Sequence, residues 1–264
     1  MPVVAFAVPF PVTGDARWRV GVELSAKIAH PMDLSHIDIV GKVFQFIAFL
    51  FAISVHESAH AWTANRCGDP TARMLGRITL NPAKHIDPVG TVVMPLIAMF
   101  TNFPVIGWAK PTPVDPRNFK NQVADDILTS VAGPVSNFLV ALATVLGMLV
   151  IAKISAQGSF LVKNMANYGP GFAHLAGTSL LVPLTLFLYE LMFINVVLAV
   201  FNLIPVPPLD GSHVLRHFLS EPIRRAYDSV GIFGLLALVY LGGNLLSRLI
   251  NPFVDFFNGL LKIF

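Results

Sequence analysis

The stretch IVGKVFQFIAFLFAISVHESAHAWTA, residues 39–64, decides how the rest of the chain is read. Its length suits a bilayer-spanning helix, which needs about 20 apolar residues. Its second half nevertheless carries His56, Glu57 and His60. Ionisable side chains inside a span are costly and usually functional. On a helix, positions i and i+4 share a face, about 6 Å apart along the axis. Two imidazoles so placed can converge on one Zn²⁺. Glu57, at a neighbouring position, can take a proton from a water held by the metal.

Further apolar runs at about 127–152, 178–203 and 229–247 are expected spans. The stretch 88–106 is short for a span and is broken by Gly90, Pro95 and Pro104. The loops 65–87, 107–126 and 214–226 hold the basic clusters, and such loops stay cytoplasmic. Two of them flank 88–106, so that stretch is expected to enter and return, with a fifth short span as the alternative. Non-helical backbone at that depth must be buried in protein or line a cavity. The loop 107–126 reads as extended or hairpin structure, and 153–176 as a Gly-rich polar loop. The fold class is an all-α membrane protein. It is a polytopic bundle of about four to five transmembrane helices with a re-entrant or β-hairpin membrane-associated segment.

Composition agrees. The 264 residues are 55% hydrophobic and 12% charged, and the soluble average for charge is about 25%. The net charge of +3 lies in no run long enough for nucleic acid. One cysteine, Cys67, excludes an intrachain disulfide and a cysteine zinc cluster. Residues 1–38 are an N-terminal extension of open status, with Met32 as an alternative start. Residues 39–247 are the membrane domain, and 248–264 an amphipathic interfacial tail. Nothing in the sequence fixes an oligomeric state.

A catalytic zinc site needs a third protein ligand and an open position. Asp210, in NLIPVPPLDG at 202–211, is the best candidate, with Gly211 allowing a tight turn beside it. An Asp-Gly after a helix can equally be a plain turn or an N-cap. The residues alone leave both open.

The chain resembles the site-2 protease family of intramembrane zinc metalloproteases. The resemblance rests on HESAH at 56–60, NLIPVPPLDG at 202–211 and AGPVSN at 132–137. It extends through GDPTARMLGRITLNPAKHIDPVG at 68–90 and GWAKPTPVDPRNF at 107–119, and covers roughly 40–247. These last two segments look like the compact prokaryotic branch without a PDZ or CBS domain. The resemblance implies that His56, His60 and Asp210 bind Zn²⁺ and that Glu57 is the catalytic base. It implies that Asn202 contacts substrate or stabilises the oxyanion, with capping of a broken helix end as its bland alternative. It also implies transmembrane protein substrates, a multi-pass protein of the prokaryotic cell membrane, and an active site towards the cytoplasm. Asn137, with Gly133 and Pro134, is expected to serve helix packing. His85 is expected to stabilise its loop, and His213 and His217 to line an interfacial helix face. A metal transporter and a catalytically silent binder are the rival classes; no internal repeat supports the first, and all four core positions are filled against the second.

Overall fold

The computed structural model describes residues 6–7, 39–101, 105–170 and 179–263. The N-terminal extension and the alternative start at Met32 therefore lie outside the described residues, apart from Phe6 and Ala7. In chain order the helices are α1 (Ile39–Cys67), α2 (Thr71–Met74), α3 (Met94–Thr101), α4 (Gln122–Ile154), α5 (Ala156–Tyr168), α6 (Leu181–Leu203), α7 (Asp210–Arg216), α8 (Glu221–Leu241) and α9 (Gly243–Leu261). A π-helical segment, Pro88–Val93, runs into α3. Two short strands, β1 (Phe6–Ala7) and β2 (Val105–Ile106), pair antiparallel.

Among the described residues, α1, α4 and α6 are each long and apolar enough to cross a membrane. At 1.5 Å per residue even α6, with 23 residues, reaches about 35 Å against a core of about 30 Å. Helix α4 shows how a lipid-facing helix looks: Val135, Leu139, Leu142, Leu146 and Val150 recur at helical spacing and stand exposed. Helix α6 is buried on nearly all sides between α1 and α4. Inside that packing lies a polar pair the sequence reading passed over. Gln45 of α1 donates to Glu190 of α6 at 3.2 Å, both buried.

The fourth expected span, 229–247, is not one straight helix. Helices α8 and α9 turn by 79° relative to each other at a break capped by Gly242, and together they qualify as at most one more span. Leu246, Ile250, Val254, Phe257 and Leu261 of α9 follow the i, i+4 and i+3 pattern and are buried in the main core. The polar stretch 153–176 also differs from expectation, because Ala156–Tyr168 is helical. Ser155 caps it by accepting from Gly158 N, and Leu161, Val162 and Met165 bury one face. Gly158 and the many polar residues hid that face in the sequence.

The segment after residue 87 goes out and comes back. Trp108 N donates to Gly90 O at 3.1 Å, and Lys110 N to His85 O at 2.8 Å. The Thr91 hydroxyl adds a bond to Trp108 O. The outgoing limb is helical rather than extended, and the returning limb, 105–112, lies back alongside its start. This is the expected re-entrant course, with helix where irregular backbone was anticipated.

All three basic loops gather at one end of the bundle. Helix α1 stops at Gly68, whose φ of +114° is open chiefly to glycine. Asp69 N closes back on Ala64 O. The Asp69 carboxylate then accepts from Thr71, from Asp115 N and from Asn118 Nδ2, fastening the loop before α4 to the end of α1.

Candidate active site

Helix α1 places His56 and His60 on its inner face, and α7 begins with Asp210 opposite them. The His56 and His60 Nε2 atoms are 3.1 Å apart. Asp210 Oδ2 lies 3.1 Å from the first and 3.5 Å from the second. All three residues are buried. The structure thus brings together residues 150 positions apart in the chain.

The hydrogen bonds around this trio fix which atoms carry lone pairs. Asn195 Nδ2 donates to Leu191 O, so Asn195 Oδ1 is an acceptor. Asn137 Nδ2 donates to that oxygen at 2.7 Å and to Ala52 O, so Asn137 Oδ1 is also an acceptor. His56 Nδ1, 2.5 Å from Asn137 Oδ1, must therefore carry a proton, which leaves Nε2 as the ring nitrogen turned towards the trio. His60 Nδ1 donates to Thr129 O at 2.7 Å for the same reason. With the Nδ1 atoms so engaged, neutral rings would present both Nε2 lone pairs to each other and to Asp210 Oδ2, whose nearest polar neighbours they are. Three such acceptors repel unless a proton or a metal ion sits among them. A tetrahedral ion about 2.0–2.1 Å from each ligand atom would hold them about 3.3 Å apart, close to what is seen. The donor set fits zinc.

Helix α4 covers the site with Gly133. A Cβ there would fall 2.4 Å from His60 Nε2 and 2.6 Å from His56 Nε2. The space beside the two nitrogens exists only because residue 133 has no side chain. Gly211 is similar. It is helical, and its Cβ would meet Leu203 O at 2.2 Å, so close approach of α7 to the end of α6 requires glycine there. Space, more than the anticipated turn, is the reason.

Glu57 is fully buried beside the pair. Its Oε2 accepts from Thr112 N at 3.0 Å and from the Thr112 hydroxyl at 2.6 Å, while Oε1 has no partner. Thr112 belongs to the returning limb, which the buried Arg77 pins by donating to the carbonyls of Lys84, Lys110 and Pro111. His85 sits in the same loop with Nε2 donating to Thr79 O, as expected of a loop-stabilising residue. Burial holds its imidazole below the ordinary histidine value against the pull of Thr79 O and Glu57, so the ring is neutral at pH 7.

Asn202 lies on the last turn of α6, buried, with Nδ2 donating to Leu198 O and Oδ1 without a partner. His217 does not line a bare interfacial face, since it bonds Asp126 of α4 at 2.7 Å. Sequence reading missed Thr112, Thr129 and Asn195, and it assigned Asn137 to packing, whereas the amide is hydrogen-bonded to His56. The only available signal was polarity inside apolar runs. Replacing Asn137 with Leu, of similar bulk, is expected to weaken zinc binding about 10–100-fold. Chelator competition measures this; a pure packing role would leave affinity unchanged.

A buried His-His-Asp set with a free carboxylate oxygen beside it, its histidines on a membrane-spanning helix and its aspartate on a short helix packed against the bundle, defines a membrane zinc metallopeptidase. The Peptidase family M50 model matches residues 44–241. The chain belongs to peptidase family M50, the site-2 protease family. It is 34% identical over 195 residues to a Bacillus subtilis protein named "Putative zinc metalloprotease YwhC", covering 74% of this chain and 78% of that one. Rip2 proteins with the same designation are also similar. That of Mycolicibacterium smegmatis is 27% identical over 73% of this chain and 64% of its own length. That of Mycobacterium tuberculosis is 28% identical over 75% and 66%. No solved structure matches. The protein is a multi-pass membrane metallopeptidase that uses Zn²⁺.

Proposed function

We propose that this chain cuts transmembrane protein substrates within or at the edge of the bilayer, as an intramembrane protease of regulated proteolysis. The observation that carries the reading is the convergence of His56 Nε2, His60 Nε2 and Asp210 Oδ2 inside a bundle of spanning helices. His60 stands about 10 Å along the axis from the end of α1. The basic loops at that end support a site towards the cytoplasm of a prokaryotic cell membrane, the side from which water has its shortest path.

His56, His60 and Asp210 would hold the zinc. When bound, the ion polarises the scissile carbonyl and makes water acidic enough to be deprotonated near neutral pH. Glu57 does the proton work. Thr112 fixes Oε2, and the unpartnered Oε1 takes a proton from the attacking water and passes it to the leaving amine. Asn202 retains a second amide hydrogen and an unpaired oxygen for the substrate or its developing oxyanion. A helical substrate hides its carbonyls in internal bonds, so it must unwind before attack. The unwound segment pairs by strand addition with an extended stretch within 107–119.

The test uses the purified full chain in proteoliposomes with a transmembrane substrate. Cleavage is expected to stop when zinc is stripped by a chelator and to return when zinc alone is added back. Cleavage indifferent to zinc, or zinc flux into sealed vesicles with no hydrolysis, would sink the reading.

A further inference from the structure

Helix α4 supplies none of the three atoms of the metal trio, yet His56 and His60 are both oriented by it. His56 is held by Asn137 and His60 by the Thr129 carbonyl. The Asp210 oxygen that faces them has no hydrogen-bond donor of its own. What sets its position is α7, a helix of only seven residues whose first turn is seated against the end of α6 through Gly211. The other end of α7 reaches α4. His217 Nε2 meets Asp126 Oδ2 at 2.7 Å, with side chains 19% and 7% exposed. Asp126 stands one turn before Thr129 on the same helix. Asp126 Oδ1 is buried without a partner, so His217 is the hydrogen-bond partner shown for a carboxylate drawn out of water.

We propose that Asp126 and His217 are a positioning pair that clamps α7 to α4 and so holds Asp210 at the distance the two histidines require. This rests on the zinc-ligand reading above. All three ligands are then referred to one helix, over the twelve residues from Asp126 to Asn137. The consequence is specific. Breaking the pair loosens the third ligand while leaving the two histidines oriented, so zinc should be lost faster without loss of the fold.

The experiment uses the full chain in nanodiscs, loaded with one zinc. The rate of zinc transfer to a chelator and the rise in melting temperature on adding zinc are both measured. In His217→Ala, transfer is expected to be about ten-fold faster than in wild type, and the zinc-dependent rise to shrink. In His217→Gln, whose amide can donate to the same Asp126 oxygen, retention should return to within about two-fold of wild type. His217→Glu sets two carboxylates together and serves as the second disrupting variant should the alanine protein fail to fold. A residue that is merely structural would lower the melting temperature equally with and without zinc, and that result overturns the proposal. Zinc retention at the wild-type rate in both disrupting variants overturns it too. Wild type that binds no zinc would bring down the ligand reading first, and the wild-type control separates that failure from the others.

Discussion

Glu57→Gln is expected to lower cleavage of a membrane substrate by about 10²–10⁴-fold with one zinc per chain still bound. The two side chains have nearly the same shape. The glutamine oxygen can still accept from Thr112 N and from its hydroxyl, so the anchoring seen at Oε2 survives. What disappears is the atom at the Oε1 position that could gain and give up a proton. An amide there donates and does not accept. The comparison needs rate and zinc content from the same preparation, because loss of metal would also abolish activity. A glutamine enzyme that cuts at the wild-type rate places the base elsewhere.

Gly133→Ala should be nearly as damaging, by a different route. Its methyl group would fall 2.4 Å from one imidazole nitrogen and 2.6 Å from the other. Neither ring can step aside cheaply, since each is held through Nδ1 by an acceptor on the same helix as the intruding methyl. Zinc affinity is expected to fall at least about 100-fold, with activity following it. The metal-free protein should lose stability too, because overpacking two rings that cannot move costs about 1–3 kcal/mol, which outweighs the roughly 1 kcal/mol by which alanine is favoured over glycine in a helix. Elemental analysis and a melting curve without zinc check both halves. Full zinc occupancy in this variant would mean that the histidine nitrogens do not face residue 133.

The candidates His56, Glu57 and His60 were legible because their signal is local. His56, Glu57 and His60 are charged or polar within an apolar run, and their spacing fixes a shared face. Asp210 needed the family resemblance, since Asp-Gly after a helix is ambiguous by itself. The supporting residues were illegible for a physical reason. Asn137, Asn195 and Thr129 are isolated polar groups in apolar helices, and no pattern says which neighbour each will face. Thr112 acts through a limb whose return beside His85 and Gly90 is a tertiary event. Helix α5 was read as a loop because its buried face is short, and the break at Gly242 lies inside an apolar run that hydropathy treats as continuous.

The row of donors from His56 through Asn137 and Asn195 to Leu191 has one sense of travel, because a peptide carbonyl can only receive. The proton on His56 Nδ1 is thereby held in place by two backbone oxygens, Ala52 O of α1 directly behind the Asn137 amide and Leu191 O of α6 through Asn195. Slide α6 by a single turn and only the Asn195 oxygen is withdrawn; Ala52 O, on the same helix as the ring, still receives from the Asn137 amide and keeps it the same way round. The nitrogen that should meet the ion is in that sense guarded twice, and movement between two apolar surfaces can loosen one guard without turning the ring.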